Sequence, residues 1–495
     1  MALGNISFVQ EPVNTTSKVP VITNWTPMIG YMVYQDDISG LFYFKLILEV
    51  RLDDASGTLL AKLKQRRNGY SSDVTNNRAR AFFDVREIVN TQLVDTVFDQ
   101  NDTGIPFRTI HKVGVNTAAK PFSVNGDNTT DGTQIQTIYV KAYQEYSSSA
   151  TTVPTEHTTP TVNDTLYYLQ ASLPLMTARS TVTSPVGFIQ GTDFNVFNGN
   201  SATDRFLSDL VTSAGDYNTS GYINYIQDTD YHTVAFLNDN DNFDSDIYRI
   251  YIKYYDSSGS EIAYGGGAGT NYIENRDNNG GWKPDDSEGS QNDKYRLLYF
   301  GCGPGNLQAQ SDNTNLRPSA FSNWAYYTIQ GFDEAGTPAA KTALYYFIKQ
   351  DGSCKGYKVR RLAWRNSVGG YDYFNFKMKS TQTLNVERNN YSSMLGTFNK
   401  SQWRYNNTQR GKTTRQTTAV LKETINTDWI KEEDTVLIEK LIMSTDVYIV
   451  ENADTDFTEG VIITDSSFIK KTSANDRMIQ YTINIEYANP VNTNS

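Results

Sequence analysis

The sequence predicts a mainly β protein: several immunoglobulin-like β-sandwich domains, closed at the C-terminal end by a helix-capped α+β or β domain. Three observations predict it. The chain of 495 residues holds 33 Tyr and 23 Phe, side chains that suit a pleated, half-buried surface. Short runs with apolar and polar residues in alternation recur along it, the period-two signature of a strand with one buried face. No long amphipathic stripe of helical period interrupts these runs between residue 166 and residue 428.

The elements follow in order. LFYFKLILEVRL (41–52) places Phe42, Phe44, Leu46, Leu48, Val50 and Leu52 on one face, and DDASG turns it back into TLLAKL as a hairpin. A helix is expected over ARAFFDVREIVNTQLVDT, with Asp84 and Glu87 as a capping box and Val85, Ile88, Val89 and Leu93 as its stripe. IQTIYVKAYQEY (135–146) is the next alternating strand. SSSATTVPTEHTTPTVNDT (147–165) lacks apolar periodicity and reads as a linker or an exposed hairpin arm. Strands then recur at YINYIQ, YHTVAFLN, DIYRIYIKYYD, YRLLYFG, WAYYTIQGFD and ALYYFIKQD. In the last segment, TDWIKEEDTVLIEKLIMS, helical spacing of Trp429, Ile430, Val436, Leu437 and Leu441 predicts a helix with Thr427 or Asp428 as N-cap. Three domains are expected: 1–146, 166–345 and 346–495.

A weak repeat runs through this pattern. LEVRLDDASGTLLA (48–61), IYIKYYDSSGSEIA (250–263) and YTIQGFDEAGTPAA (327–340) align without gaps. Each is a strand, an Asp whose carboxylate suits a turn, a Gly and a returning segment, from a duplicated module or from repeated use of one hairpin chemistry.

Composition bounds the function. A net charge of −11 argues against a nucleic-acid partner, because phosphate binding needs a basic surface. Two cysteines, Cys302 and Cys354, exclude a disulfide-dense scaffold. The N-terminus lacks the basic and apolar regions of a signal peptide, and no run of eighteen apolar residues occurs, so production in a cytoplasm without membrane insertion is expected.

Motifs with chemical promise fail on context. GCGPGN (301–306) resembles a glycine-rich nucleotide loop, but the polar, Pro318-containing segment after it has no helical stripe and no acidic residue follows at ribose-binding distance. His111, His157 and His232 stand far apart without metal or nucleophile spacing. Acidic residues are abundant, but no carboxylate pair stands out for glycoside cleavage. NDNDNFDSD (238–246) groups Asp239, Asp241 and Asp244 as a partial cation loop that lacks the glycine of a calcium turn. No catalytic residue and no cofactor are expected.

VRRLAWRNSVGGYDYFNFKM (359–378) reads as a hairpin, with Leu362 and Trp364 before a loop at NSVGG and Phe374, Phe376 and Met378 inward beyond it. Tyr371 and Tyr373 are then expected to face solvent or a neighbouring subunit, which makes them, with Trp364, the interface residues of the reading. RLAWRNSVGGYDYFNF, DWIKEEDTVLIEKLIMSTDVYIV, GVIITDSSF and MIQYTINIEYANP resemble virion structural proteins of tailed bacteriophages, as does LEVRLDDASGTLLAKLKQRRN with ARAFFDVREIV; together they cover roughly the first 100 and last 140 residues. The resemblance implies a non-enzymatic, multi-copy component of the tail, baseplate or fibre-attachment region, partnered by other copies and other virion proteins. A tail module that binds a host-surface receptor or glycan is the alternative, a neck or collar ring protein a second, and a tail-associated hydrolase a third.

Overall fold

The computed structural model describes residues 5–11, 21–22, 30–69, 71–92, 135–170, 202–239, 247, 249–263, 272–274, 295–308, 316–321, 323–333, 337–350, 356–406, 408–450, 458–465, 467, 469 and 478–489. The protein is mainly β, with several sheets and few, short helices. It divides into two compact units: Met1–Lys349 with Asn366–Asp372, and Gln350–Arg365 with Tyr373–Ser495.

The first unit opens with two sheets around one core. One has five strands, in the order Val21–Ile22, Thr155–Gln170, Ile135–Ser147, Phe42–Leu52 and Leu59–Arg66; the other pairs Ile6–Gln10, Gly30–Gln35 and Ala79–Asp84. Leu46, Leu48 and Val50 from the first sheet and Tyr31, Val33 and Phe83 from the second are buried in the same cluster. Alternation along each strand puts these side chains inward, as a sandwich requires. On the outer face of the five-stranded sheet, Lys64 bridges Glu145 and Glu156, and Lys62 bridges Glu49 and Glu156. Hydrogen bonds from Lys64 and Lys62 hold the Glu156 carboxyl down at about 2.

Two expectations for this region change. Ala79–Asp84 is a strand, not the start of a helix, because Ala79, Ala81 and Phe83 alternate into the sandwich core. Only Arg86–Asn90 is helical; the Asp84 carboxylate accepts from the Arg86 N–H at 2.9 Å without forming a capping box, and Leu93 lies outside the described residues. The Ser/Thr-rich stretch is the hairpin arm of the two alternatives: Thr155–Gln170 pairs antiparallel with Ile135–Ser147. Threonine holds an extended backbone, and one open sheet face needs no apolar alternation.

The other sheets of this unit hold six strands, in the order Tyr272–Glu274, Arg249–Tyr255, Tyr326–Phe332, Tyr345–Lys349, Ser220–Ile226 and Thr212–Ala214, and two strands, Thr233–Asp239 with Tyr295–Gly301. The six alternating runs expected here all form strands. The repeat's turn chemistry is visible. Asp54 accepts from the Ser56 N–H, Asp256 from the Ser258 and Ser260 N–H groups, and Asp333 from the Ala339 N–H. Gly259 takes a φ of 81°, whereas Gly57 lies where a Cβ would meet the Leu52 carbonyl oxygen.

The second unit carries a seven-stranded sheet in the order Tyr371–Phe376, Arg360–Arg365, Val447–Val450, Thr458–Ile463, Thr482–Tyr487, Lys412–Asn426 and Thr381–Ser392. Its helix is shorter than expected, Thr435–Met443, with Leu437, Ile438 and Leu441 buried. Ile430–Lys431 pairs instead with Met478–Ile479, which removes the front of the helical pattern and leaves Trp429 exposed. Thr427 and Asp428 are occupied outside any cap: Thr427 Oγ1 accepts from the Tyr481 N–H and Asp428 from the Trp429 N–H.

Candidate functional site

The feature that stands apart is the last strand pair of the seven-stranded sheet. Thr381–Ser392 and Lys412–Asn426 run antiparallel, but Lys412–Asn426 meets its other neighbour only over Lys422–Asn426. Beyond that root the two strands pair with each other alone. All twelve residues of Thr381–Ser392 are exposed. Thr381, Thr383, Val386 and Thr414, all exposed, and the half-buried Thr413, Thr417 and Val420 keep the backbone extended, since β-branched side chains favour strands. A bulge at Asn389/Asn390 leaves Arg415 as the extra residue on the facing strand, which increases the local twist.

The root is pinned by a buried ionic cluster. Arg360 Nε donates to Glu423 at 2.8 Å, and Gln382 Nε2 and the Tyr487 hydroxyl donate to the other Glu423 oxygen at 3.0 and 2.6 Å. Burial pushes the Glu423 carboxyl up, but the hydrogen bonds from Arg360, Tyr487 and Gln382 outweigh it and hold it below its ordinary range. Burial and the bond to Glu423 raise the Tyr487 phenol. Just above, Leu384, Val386, Val420, Glu387 and Lys422 line an open hollow of about 540 Å³. Glu486 also lines it, and its carboxylate is held 3.0 Å from Lys422 Nζ in a part-exposed ion pair.

The far end is a second hairpin, Thr397–Asn399 with Gln402–Arg404, turned by Lys400 at a φ of 46°. Met394, Phe398 and Tyr405 there are 78%, 69% and 67% exposed, with Trp403 and Leu395 also open. Large apolar side chains gathered on one protruding element mark a surface meant for burial. The ribbon is also basic. Residues 381–420 hold Arg388, Lys400, Arg404, Arg410, Lys412 and Arg415 against Glu387 alone, a net +5 in a chain of net −11.

The residues expected at an interface lie elsewhere. Trp364, Tyr371 and Tyr373 are buried, at 0%, 2% and 5% exposure, so Tyr371 and Tyr373 do not face solvent as the alternation suggested, and Trp364 is not an exposed anchor. Phe374, expected inward, is half-buried. The hairpin itself forms as expected: Arg360–Arg365 and Tyr371–Phe376 are sheet neighbours, with Gly369 at a φ of 89°. Its loop is locked within the first unit. Asn366 Oδ1 accepts from the Val368 and Gly370 N–H groups, and its Nδ2 donates to the Leu207 carbonyl at 2.8 Å. Ser367 donates through its N–H and its hydroxyl to Asp209. Asp372 accepts from the Ser208 hydroxyl at 2.6 Å and the Asp209 N–H at 2.8 Å. Burial, with the Asp209 charge beside it, pushes the Asp372 carboxyl up to about 7.

Of the partial cation loop, only the backbone of Asp239 is described, at a strand end; Asp241 and Asp244 lie outside the described residues. Among the described residues no three His, Cys, Asp or Glu side chains gather as a metal site would need. Cys302 is a buried thiol in no disulfide, while Cys354 and His111 lie outside the described residues. The GCGPG stretch does run from a strand into a helix, but Pro304–Gln308 spans five residues and its Asn306 Oδ1 is taken by the His232 and Gly303 N–H groups. The ribbon escaped the reading because it has no apolar alternation; its signal is the local excess of basic residues, interleaved with Tyr391, Phe398, Trp403 and Tyr405. No protein-family model and no curated protein matches this chain.

Proposed function

We propose that this chain is a non-enzymatic structural component of a tailed-phage virion, assembling in several copies in the tail, baseplate or fibre-attachment region. The exposed ribbon carries the reading. A two-stranded hairpin is at best marginally stable alone in water, yet this one extends past its sheet with eight large apolar residues at least 37% exposed (Leu384, Val386, Tyr391, Met394, Leu395, Phe398, Trp403 and Tyr405). An assembly part gains stability by burying such an element against its neighbours. The likeness of the terminal segments to virion structural proteins supports the choice of assembly. Light scattering on the purified chain tests the first half, with a mass of several copies expected. Mass spectrometry of purified virions tests the second, and absence of the chain from particles overturns it.

The aromatic tip favours one other reading, a receptor- or glycan-binding tail module, because aromatic faces stack on sugars. A monomeric chain that binds on a glycan array, and loses binding on Trp403→Ala, selects that reading over the structural one.

A further inference from the structure

The occupant of the ribbon can be argued from charge and area. The ribbon's net +5 leaves −16 on the rest of the chain. Two ribbons laid together would oppose +5 against +5, and like-charge juxtaposition costs several kcal/mol. A ribbon laid against the remainder of another copy, net −16, meets the opposite sign. Nucleic acid also offers negative charge, but Leu384, Val386, Met394 and Leu395 have no counterpart on a phosphate backbone, whereas a protein surface can bury them. Nine pairs beyond the root, from Leu384 with Leu421 to Ser392 with Lys412, at about 3.3 Å each in a ribbon about 10 Å wide, give roughly 300 Å² per face. Both faces come to about 600 Å², which is what one partner contributes to a specific interface at the small end of the range. Among the described residues the Thr381–Ser392 strand is moreover the sheet's last, so its outer edge is available for pairing.

We infer that the 381–420 ribbon of one copy docks on the acidic remainder of a second copy of this chain, outside that copy's own ribbon, an inference that rests on the assembly reading above. Such a contact is heterologous: each copy gives a ribbon and receives one. It therefore closes into a ring or extends as a filament, and does not stop at a two-fold dimer.

Two variants test it by light scattering and sedimentation. In the first, residues 384–421 are replaced by Asn-Gly, a two-residue turn between the paired Thr383 and Lys422. In the second, Arg388→Glu, Arg404→Glu and Arg415→Glu reverse three exposed charges; an unchanged melting curve shows that folding is kept. Wild type is expected to assemble at 50 mM salt and to weaken at least tenfold at 500 mM, while both variants stay monomeric. Ribbonless protein mixed with wild type is expected to shorten the assemblies, since it receives a ribbon and gives none. Multi-copy assembly by the folded ribbonless variant sinks the docking while leaving the assembly reading intact. A wild type that is monomeric at every concentration overturns both. A monomer that binds a DNA duplex in a salt-dependent way assigns the ribbon to nucleic acid and overturns the docking.

Discussion

Gly370 shows how closely one residue is specified. A Cβ there would lie 2.1 Å from the Leu207 carbonyl oxygen, a rigid backbone atom that cannot swing aside. Gly370→Ala is therefore expected to destabilise the protein by about 2 kcal/mol or more, as overpacking of a tight site does, measured by urea denaturation. The adjacent carboxylates make a second prediction. Asp372, raised to about 7, binds its proton in the folded state where an unfolded Asp has lost it. Its contribution is thus fully present below the unfolded value near 3.8 and is lost as pH rises through 7. Asp209→Asn keeps an acceptor for the Ser367 N–H and a donor for its hydroxyl, but removes the neighbouring charge. The variant is expected to gain stability relative to wild type at pH 8 and not at pH 4, with each unit of relief in Asp372 equal to about 1.4 kcal/mol. Equal melting shifts at both pH values would count against it.

At the scale of the element, the ribbon depends on its root. Glu423 and Arg360 have side chains 0% and 9% exposed, so removing the Glu423 charge breaks a buried ion pair together with the hydrogen bonds the carboxylate accepts. Glu423→Gln is expected to cost about 3–5 kcal/mol, read by chemical denaturation. Because the folded carboxyl is held below its ordinary value of 4.5, its stabilisation is present above that pH and is lost as pH falls through the depressed value. Wild type should therefore lose stability in acid by a margin that the variant does not show. The alternating strands were legible from sequence because alternation is a local consequence of having one buried face. The Ala79–Asp84 strand was not: its capping-box spacing and apolar content satisfied a helix equally well, and only the Gly30–Gln35 strand beside it decided the matter.

The whole molecule combines an acidic chain with one basic ribbon, and that asymmetry is open to a simple assay. Six basic residues on an exposed element offer trypsin its easiest cuts. Brief digestion of dilute protein is expected to cleave first within 388–415, and assembly at high concentration to protect those bonds. First cuts elsewhere, or no protection, would show that the ribbon is not the surface that assembly covers. By itself, the sequence determined the mainly β class, most strand positions, the turn carboxylates of Asp54 and Asp256 and the hairpin at Asn366–Gly370, since each follows from period or turn chemistry within a dozen residues. Only the tertiary structure decided which faces are buried. Alternation separates two faces without saying what lies against either, so Tyr371 and Tyr373 turned inward and the unannounced strand at Thr381–Ser392 was left open on both sides.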